Sequence, residues 1–235
     1  MYIPTLQSIM KLFDSLGYRV NYSKFLSDTF ACCAISISNK VDHHQAKERE
    51  KQYGRIMSEY EPNEQRLIEK LAGEIFALCS SCAHPQGKFG DWLGELYMMS
   101  GTSSSNVGQF FTPYSVSKAC AEVAVDAKIV KKKMKKREVL VISEPTSGSG
   151  GMILATIDVL WNKYHFNYTE NCFVEASDID SRCVHMCYIQ LSLAGVPAIV
   201  KQQDALTREL FDVWYTPAYL FQYLRFREFE KCAHM

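Results

Sequence analysis

The sequence predicts an α/β fold in which a helical region precedes a parallel sheet. Three short apolar runs of strand type, at residues 139–142, 172–176 and 197–200, alternate with two segments of helical periodicity. A glycine-rich turn follows the first run. Strands that alternate with helices in this way pair in parallel through right-handed crossovers. The first hundred residues show helical patterns instead.

Composition narrows the class of protein. The chain has 235 residues, 47% of them hydrophobic, which suffices for one large domain or for a helical and an α/β part. Its 26 basic and 26 acidic residues argue against a protein that coats nucleic acid by charge alone. The sequence shows neither a secretory signal nor an apolar run near the roughly 18 residues that span a membrane. We therefore expect a cytoplasmic protein without a membrane partner.

Nine cysteines stand at irregular spacings, and we interpret them as reduced thiols. Cys79 and Cys82 have a zinc-like spacing but lack a convincing second pair of ligands, so we predict no metal site.

The predicted elements divide the chain into residues 1–106 and 107–235. The first part holds helices at residues 22–38, 43–60 and 91–98, and one that begins near Pro62, a residue that suits a first helical turn. A loop rich in serine and glycine follows at residues 100–106. The second part opens with a helix predicted for residues 115–128. Helices predicted for residues 151–164 and 181–194 then separate the three strands.

Residues 144–151, Glu-Pro-Thr-Ser-Gly-Ser-Gly-Gly, directly follow the first predicted strand. Glycines let the backbone turn sharply and approach a ligand closely. The next helix adds its free N–H groups and the positive end of its dipole. Open α/β sheets bind ligands at this carboxyl edge, which favours a ligand loop over an ordinary strand–helix turn.

Acidic residues follow the second and third predicted strands. Asp178 comes about 30 residues after the glycine turn, where a carboxylate accepts hydrogen bonds from ribose hydroxyls. The alternative is that Asp178 or Asp180 caps the next helix. Asp204, after the third strand, can accept a hydrogen bond from an adenine amino group.

Five segments carry motifs that occur in one recognisable order. Residues 108–113 read Gly-Gln-Phe-Phe-Thr-Pro, and residues 91–97 read Asp-Trp-Leu-Gly-Glu-Leu-Tyr. Together with the glycine turn, Asp178-Ile179-Asp180 and Gln203-Asp204-Ala205-Leu206, they resemble the motifs of N6-adenine DNA methyltransferases, the modification subunits of type I restriction systems and their relatives. The glycine turn departs from the family pattern in having Glu for Asp and Thr-Ser for Ala-Cys.

The resemblance implies a Rossmann-like methyltransferase fold with S-adenosylmethionine as the cofactor. The cofactor contacts that it implies are Gln109, Phe110, Phe111, Thr112, Pro113, Tyr114, Glu144, Ser147, Gly148, Ser149, Gly150, Asp178 and Asp204. The implied reaction is methyl transfer to the exocyclic amine of adenine in DNA. One alternative is a non-catalytic cofactor-binding partner or regulator in a restriction-modification or mobile-element context. Another is a methyltransferase that acts on a small molecule or a protein.

One family motif is missing. The family holds a flipped adenine with an Asn-Pro-Pro-(Phe/Tyr) tetrapeptide after its fourth strand, and this sequence contains none. The nearest segment is Thr216-Pro217-Ala218-Tyr219, which follows Phe211-Asp212-Val213, itself similar to the family's strand leader. Thr216, Pro217 and Tyr219 are therefore the catalytic candidates, although a threonine hydroxyl lacks the reach of an amide. The alternative is that residues 214–220 are a core segment.

The sequence indicates two possible partners, DNA and a second protein subunit. The basic run Lys131-Lys132-Lys133-Met134-Lys135-Lys136-Arg137 is either a solvated loop or a patch that contacts DNA phosphates. The chain ends 31 residues after Asp204, too soon for a seven-stranded methyltransferase sheet, and we find no target-recognition domain. A second protein subunit would then supply target recognition.

Overall fold

A computed structural model describes residues 4–13, 16, 20–83, 88–101 and 111–223. In these ranges, eleven α-helices and four strands form a mixed α/β fold. The helices are α1 (Leu6–Phe13), α2 (Tyr22–Ser38), α3 (Ala46–Ser58), α4 (Pro62–Cys79), α5 (Trp92–Met99), α6 (Tyr114–Ala124), α7 (Ala127–Lys136), α8 (Gly151–Asp158), α9 (Tyr168–Asn171), α10 (Ser181–Leu193) and α11 (Pro217–Phe221). The strands are β1 (Leu140–Glu144), β2 (Cys172–Asp178), β3 (Ala198–Gln203) and β4 (Leu210–Tyr215). A π-helical segment, Val159–Lys163, extends α8.

The sheet has the strand order β1-β2-β3-β4. β1 pairs in parallel with β2, and β2 pairs in parallel with β3. The predicted parallel β-α-β-α-β unit is therefore confirmed. Because Asp178 lies opposite Gln202, the carboxyl ends of β2 and β3 meet at the same edge as the glycine turn.

The fourth strand runs in the opposite direction. β4 pairs antiparallel with β3, so that Gln203 lies opposite Leu210 and Ile199 lies opposite Tyr215. A parallel pair needs a crossover of a dozen or more residues, and the few residues between β3 and β4 allow only a hairpin. The segment after β4, which includes Thr216 and Tyr219, therefore lies at the amino end of β3 and not at the edge of the glycine turn.

Helix α10 forms the centre of the core. Every residue from 183 to 191 is buried, as expected of a helix that is covered on all sides. One side of α10 packs on β2 and β3, and the other packs on α2, α4 and α5. The predicted boundary at residues 106 and 107 lies outside the described residues, and the hydrophobic core extends across both predicted parts.

An arginine joins the helical region to the last strand. Arg49 in α3 makes two hydrogen bonds to the Asp212 carboxylate, of 2.7 and 2.8 Å, and its guanidinium lies 3.3 Å from the centroid of the Trp214 ring. The Arg49 side chain is 6% exposed. Burial lowers the pKa of His185, which packs on the other side of this cluster against Trp214, to about 4. These contacts fix α3 against β4.

The basic run is helical, which corrects its interpretation as a loop. It forms most of α7, whose N-cap Asp126 accepts a hydrogen bond from the Lys128 amide. Val130 anchors this helix in the core with 1% exposure. Lysine is a good helix former, which is consistent with an ordered helix here. Four of its lysines, Lys131, Lys132, Lys135 and Lys136, are exposed to water.

The cysteines of the described ranges are free thiols, and most of them are buried. Burial raises the pKa of Cys32 and of Cys187 to about 12, so both are neutral and pack as small apolar side chains. No group of three or more His, Cys, Asp or Glu side chains that could hold a metal occurs in this part of the chain. None of the described helices has the length and apolar character needed to cross a membrane.

Candidate functional site

The glycine turn has a backbone conformation that requires glycine at two positions. Gly148 and Gly150 have φ values of +53° and +95°, in the left-handed region that other residues rarely adopt. A Cβ at Gly148 would lie 3.2 Å from the Phe111 ring, and one at Gly150 would lie 3.1 Å from the Cys187 sulfur. The Ser147 amide donates to the Ser177 carbonyl at 2.8 Å and ties the turn to β2.

Asp178 lies at the end of β2 and faces this turn. Its Oδ2 accepts a hydrogen bond from the Gly148 amide and its Oδ1 accepts one from the Asp180 amide, both at 2.9 Å. Each carboxylate oxygen keeps a further lone pair for a ligand hydroxyl. The cap of α10 is Asp180, which accepts from the Arg182 amide, so helix capping does not account for Asp178.

A cavity of about 320 Å³ lies between the turn, the end of β2 and the start of α6. This volume is within the range of small-molecule sites. The cavity brings together six of the predicted cofactor residues: Phe111, Thr112, Ser147, Gly148, Ser149 and Asp178. Its lining also includes Asp91, Ser117, Thr146, Gly151, Met152 and Cys183, which were not predicted as site residues.

Ser117 has an unpaired hydroxyl in this cavity. The residue is 1% exposed, and its Oγ has no hydrogen-bond partner in the described part of the chain. Leaving a buried hydroxyl unpaired costs about 1–3 kcal/mol, so a polar ligand atom is a fitting partner. Ser117 stands on the first turn of α6, just after the predicted contact segment, and that position was the available sequence signal.

Several predicted contacts lie elsewhere. Glu144 accepts hydrogen bonds from the amide and the hydroxyl of Thr146, both at 3.3 Å, and so supports its own turn. Gly150 is the N-cap of α8 and packs on Cys187 rather than lining the cavity. Gln109 and Phe110 lie outside the described residues.

Asp204 lies in the hairpin between β3 and β4. Its carboxylate accepts hydrogen bonds from the amides of Leu206 and Thr207, at 2.8 and 3.0 Å. These backbone donors hold the pKa of Asp204 below its usual value. The structure therefore places Asp204 near the carboxyl edge of the sheet but not in the lining of the cavity.

The three catalytic candidates lie at the opposite end of the sheet. The Thr216 hydroxyl accepts a hydrogen bond from the Ala198 amide and donates one to the Val196 carbonyl, at 2.9 and 2.8 Å. Thr216 also caps α11, which begins at Pro217, and Tyr219 is buried against Phe173. From Ala198 to Gln202, β3 spans about 13 Å. The structure thus does not bring Thr216, Pro217 and Tyr219 to the cavity, because the antiparallel β4 carries them away from it.

A second cavity, of about 840 Å³, adjoins the first and shares Asp91, Phe111 and Thr112 with it. Two predicted contacts, Pro113 and Tyr114, line this larger space. Its buried carboxylate, Asp158, accepts hydrogen bonds from the Tyr114 hydroxyl, the Asn162 amide and the Lys118 ammonium at 2.6 to 3.1 Å.

Comparison with known proteins connects this site to one family. A family model described as N-6 DNA methylase matches residues 88–220, which is more than half of the chain. The matched span contains every described residue of the smaller cavity. No curated protein and no solved structure matches the chain.

Proposed function

We propose, because the chain belongs to the N-6 DNA methylase family, that it binds S-adenosylmethionine in the cavity beside the glycine turn. The observation that carries this proposal is the pairing of Asp178 with the Gly148 amide, which aligns a carboxylate with a glycine cradle. The lone pairs left on Asp178 suit the two hydroxyls of a ribose. The parallel order β1-β2-β3 and the position of the turn after β1 also support a Rossmann-like arrangement, from which the antiparallel β4 beside β3 departs.

The remaining groups of the cavity fit the other end of the cofactor. The unpaired Ser117 hydroxyl can bond the charged amino-acid end, close to the N-terminus of α6. Thr112 borders the same space, and Phe111 packs against the turn. When bound, the sulfonium supplies an electrophilic methyl group, so the protein's own task is to hold and orient the reactants.

The reaction that the family supports is methyl transfer to the exocyclic amine of adenine in DNA. A second candidate is a cofactor-binding partner that does not itself catalyse transfer. The observation that favours this second candidate is the position of Thr216 and Tyr219 at the far end of the sheet. Both candidates require the cofactor site, and a separate subunit for target recognition is compatible with both.

Replacing Asp178 tests the cofactor site. Asp178→Ala is expected to weaken S-adenosylmethionine binding by about 1.5–3 kcal/mol, because a hydrogen-bonded carboxylate is removed and the Gly148 amide is released. Titration calorimetry measures this difference. Asp126→Ala, which removes the N-cap carboxylate of α7, is the matched control and should keep the wild-type affinity. Absence of binding to folded wild-type protein would refute the proposal.

The basic helix offers a surface for DNA. Lys133 and Lys136 pair with Glu138, at 3.3 and 3.5 Å, which leaves Lys131, Lys132 and Lys135 as the better phosphate ligands. Replacing these three by alanine should lower the slope of log affinity against log salt by about 0.9 for each phosphate that the helix no longer neutralises.

Filter binding of duplex DNA over a salt series measures that slope. The control replaces three exposed lysines of other helices and turns, Lys40, Lys47 and Lys70, with the same change in net charge. An equal slope of log affinity against log salt in both triple variants would show that α7 is not a specific contact surface for DNA.

A further inference from the structure

A buried carboxylate connects the helical region to the glycine turn. Asp91, 2% exposed, is the N-cap of α5 and accepts a hydrogen bond from the Gly94 amide at 3.0 Å. Its Oδ2 accepts a second bond from the Ser149 hydroxyl at 2.5 Å. Ser149 belongs to the turn itself, between the two glycines with positive φ. The carboxylate therefore joins two segments that are 58 residues apart in the sequence.

Gln190 of α10 completes the connection. Its amide nitrogen donates to Asp91 Oδ1 at 2.9 Å and to the Ser149 carbonyl at 2.8 Å. Its amide oxygen accepts from the Leu93 amide at 3.2 Å. The turn is thus held through both the side chain and the backbone of Ser149.

The surrounding backbone is shaped around this carboxylate. A Cβ at Gly94 would lie 2.3 Å from an Asp91 oxygen, and one at Gly151 would lie 2.7 Å from the same atom. Helices α5 and α8 both begin here, so the positive ends of two helix dipoles face the carboxylate. Burial raises the pKa of Asp91, and the hydrogen bonds from Ser149, Gln190 and Gly94 oppose that effect.

We propose that Asp91 is a positioning residue for the cofactor, which sets the conformation of the glycine turn through Ser149 and Gln190. This inference rests on the proposed cofactor site. Asp178 holds the turn from one side, through the Gly148 amide, and Asp91 holds it from the other. When both bonds are present, the glycine turn has a fixed position relative to Asp178 before the ligand binds. A loss of this alignment by even 1 Å is costly for a bound reactant.

The test compares Asp91→Ala and Asp91→Asn with the wild type by two measurements. The first is hydrogen–deuterium exchange of residues 145–151 in the ligand-free protein, and the second is the affinity for S-adenosylmethionine well below the unfolding temperature. Asp91→Ala should speed exchange in the turn and weaken binding by about tenfold or more. Asp91→Asn should recover most of both, because its amide oxygen still accepts hydrogen bonds.

Asp126→Ala is the control, since it removes an N-cap carboxylate that lines neither cavity and should leave both measurements unchanged. If Asp91→Ala does not fold, Ser149→Ala removes the side-chain bond to Asp91 and should speed exchange in the turn; exchange decides this case, because Ser149 itself lines the cavity. Wild-type exchange in the turn of folded Asp91→Ala, or of Ser149→Ala where that variant replaces it, would overturn the inference whatever the affinity, because both residues also line the cavity. So would equal losses in Asp91→Ala and Asp126→Ala. If the wild type binds no cofactor, the proposed function is refuted. The exchange measurement still decides whether Asp91 sets the conformation of the glycine turn.

Discussion

Purified protein incubated with S-adenosylmethionine and duplex DNA is expected to form no N6-methyladenine above background. The sequence contains no Asn-Pro-Pro-(Phe/Tyr) tetrapeptide to hold the amino group of a flipped base. Its nearest counterpart begins at Thr216, whose hydroxyl is occupied by the backbone at the amino end of β3. That counterpart therefore lies away from the proposed cofactor cavity, whose described carboxylates, Asp91 and Asp178, already accept hydrogen bonds from the protein.

The size of the expected loss is large. Removing a single well-placed hydrogen-bonding group that stabilises a developing charge lowers a rate by about 10²–10³. Extruding the base from the duplex costs a few kcal/mol in addition. A residual rate of this size is expected to leave no product above background.

Mass spectrometry of nucleosides from the digested DNA measures the product, and calorimetry on the same sample shows whether the cofactor binds. Addition of a partner subunit that recognises DNA is expected to raise the yield. The competing hypothesis, a working variant motif, makes a different prediction: robust methylation by the isolated chain that Thr216→Ala or Tyr219→Ala abolishes without loss of cofactor affinity. That result would contradict ours.

Replacement of Arg49 should have the largest effect on stability. Arg49→Ala is expected to lower the free energy of unfolding by about 2–4 kcal/mol, because it leaves Asp212 unpaired and removes the guanidinium from the Trp214 ring. Asp212 is 31% exposed and keeps some contact with water, which places the effect below that of a fully buried pair. Arg49→Lys keeps the charge but cannot make the two parallel hydrogen bonds to Asp212. Its free energy of unfolding should therefore lie between those of Arg49→Ala and the wild type.

Urea denaturation followed by circular dichroism measures these differences. Arg55→Ala is the matched control in the same helix: the side chain is 74% exposed and its pair with Glu48 is 3.8 Å long. Its effect should stay within about 0.5 kcal/mol. A loss below about 1 kcal/mol for Arg49→Ala would mean that the contact between α3 and β4 adds little to the fold.

The parts of the fold that the sequence predicts well depend on local patterns. The apolar runs at β1, β2 and β3 and the helices between them leave only a parallel arrangement, and the glycine turn follows β1 as expected. Asp178 was identified because its distance from the turn is characteristic of one kind of site. These signals lie within segments of about 30 residues.

The parts that the sequence does not predict depend on direction or on distant partners. The run that forms β4 has the same apolar pattern in either direction, and only the short connection from β3 requires a hairpin. Arg49 sits in a charged helix that resembles a solvated one, and its partner is 163 residues away. The helix at the basic run had a local signal, the N-cap Asp126, that the density of lysines obscured.

The burial of α10 on both of its sides bears on how the chain folds. Its residues form a shared interior surface, so neither the sheet nor the helices α2, α4 and α5 can complete a core without it. Expression of residues 107–235 alone would leave one side of this helix in water, with the aggregation that exposed apolar surface brings. The two predicted parts therefore share one core, and its contacts between segments more than a hundred residues apart, such as α2 and α10, are expected to slow folding.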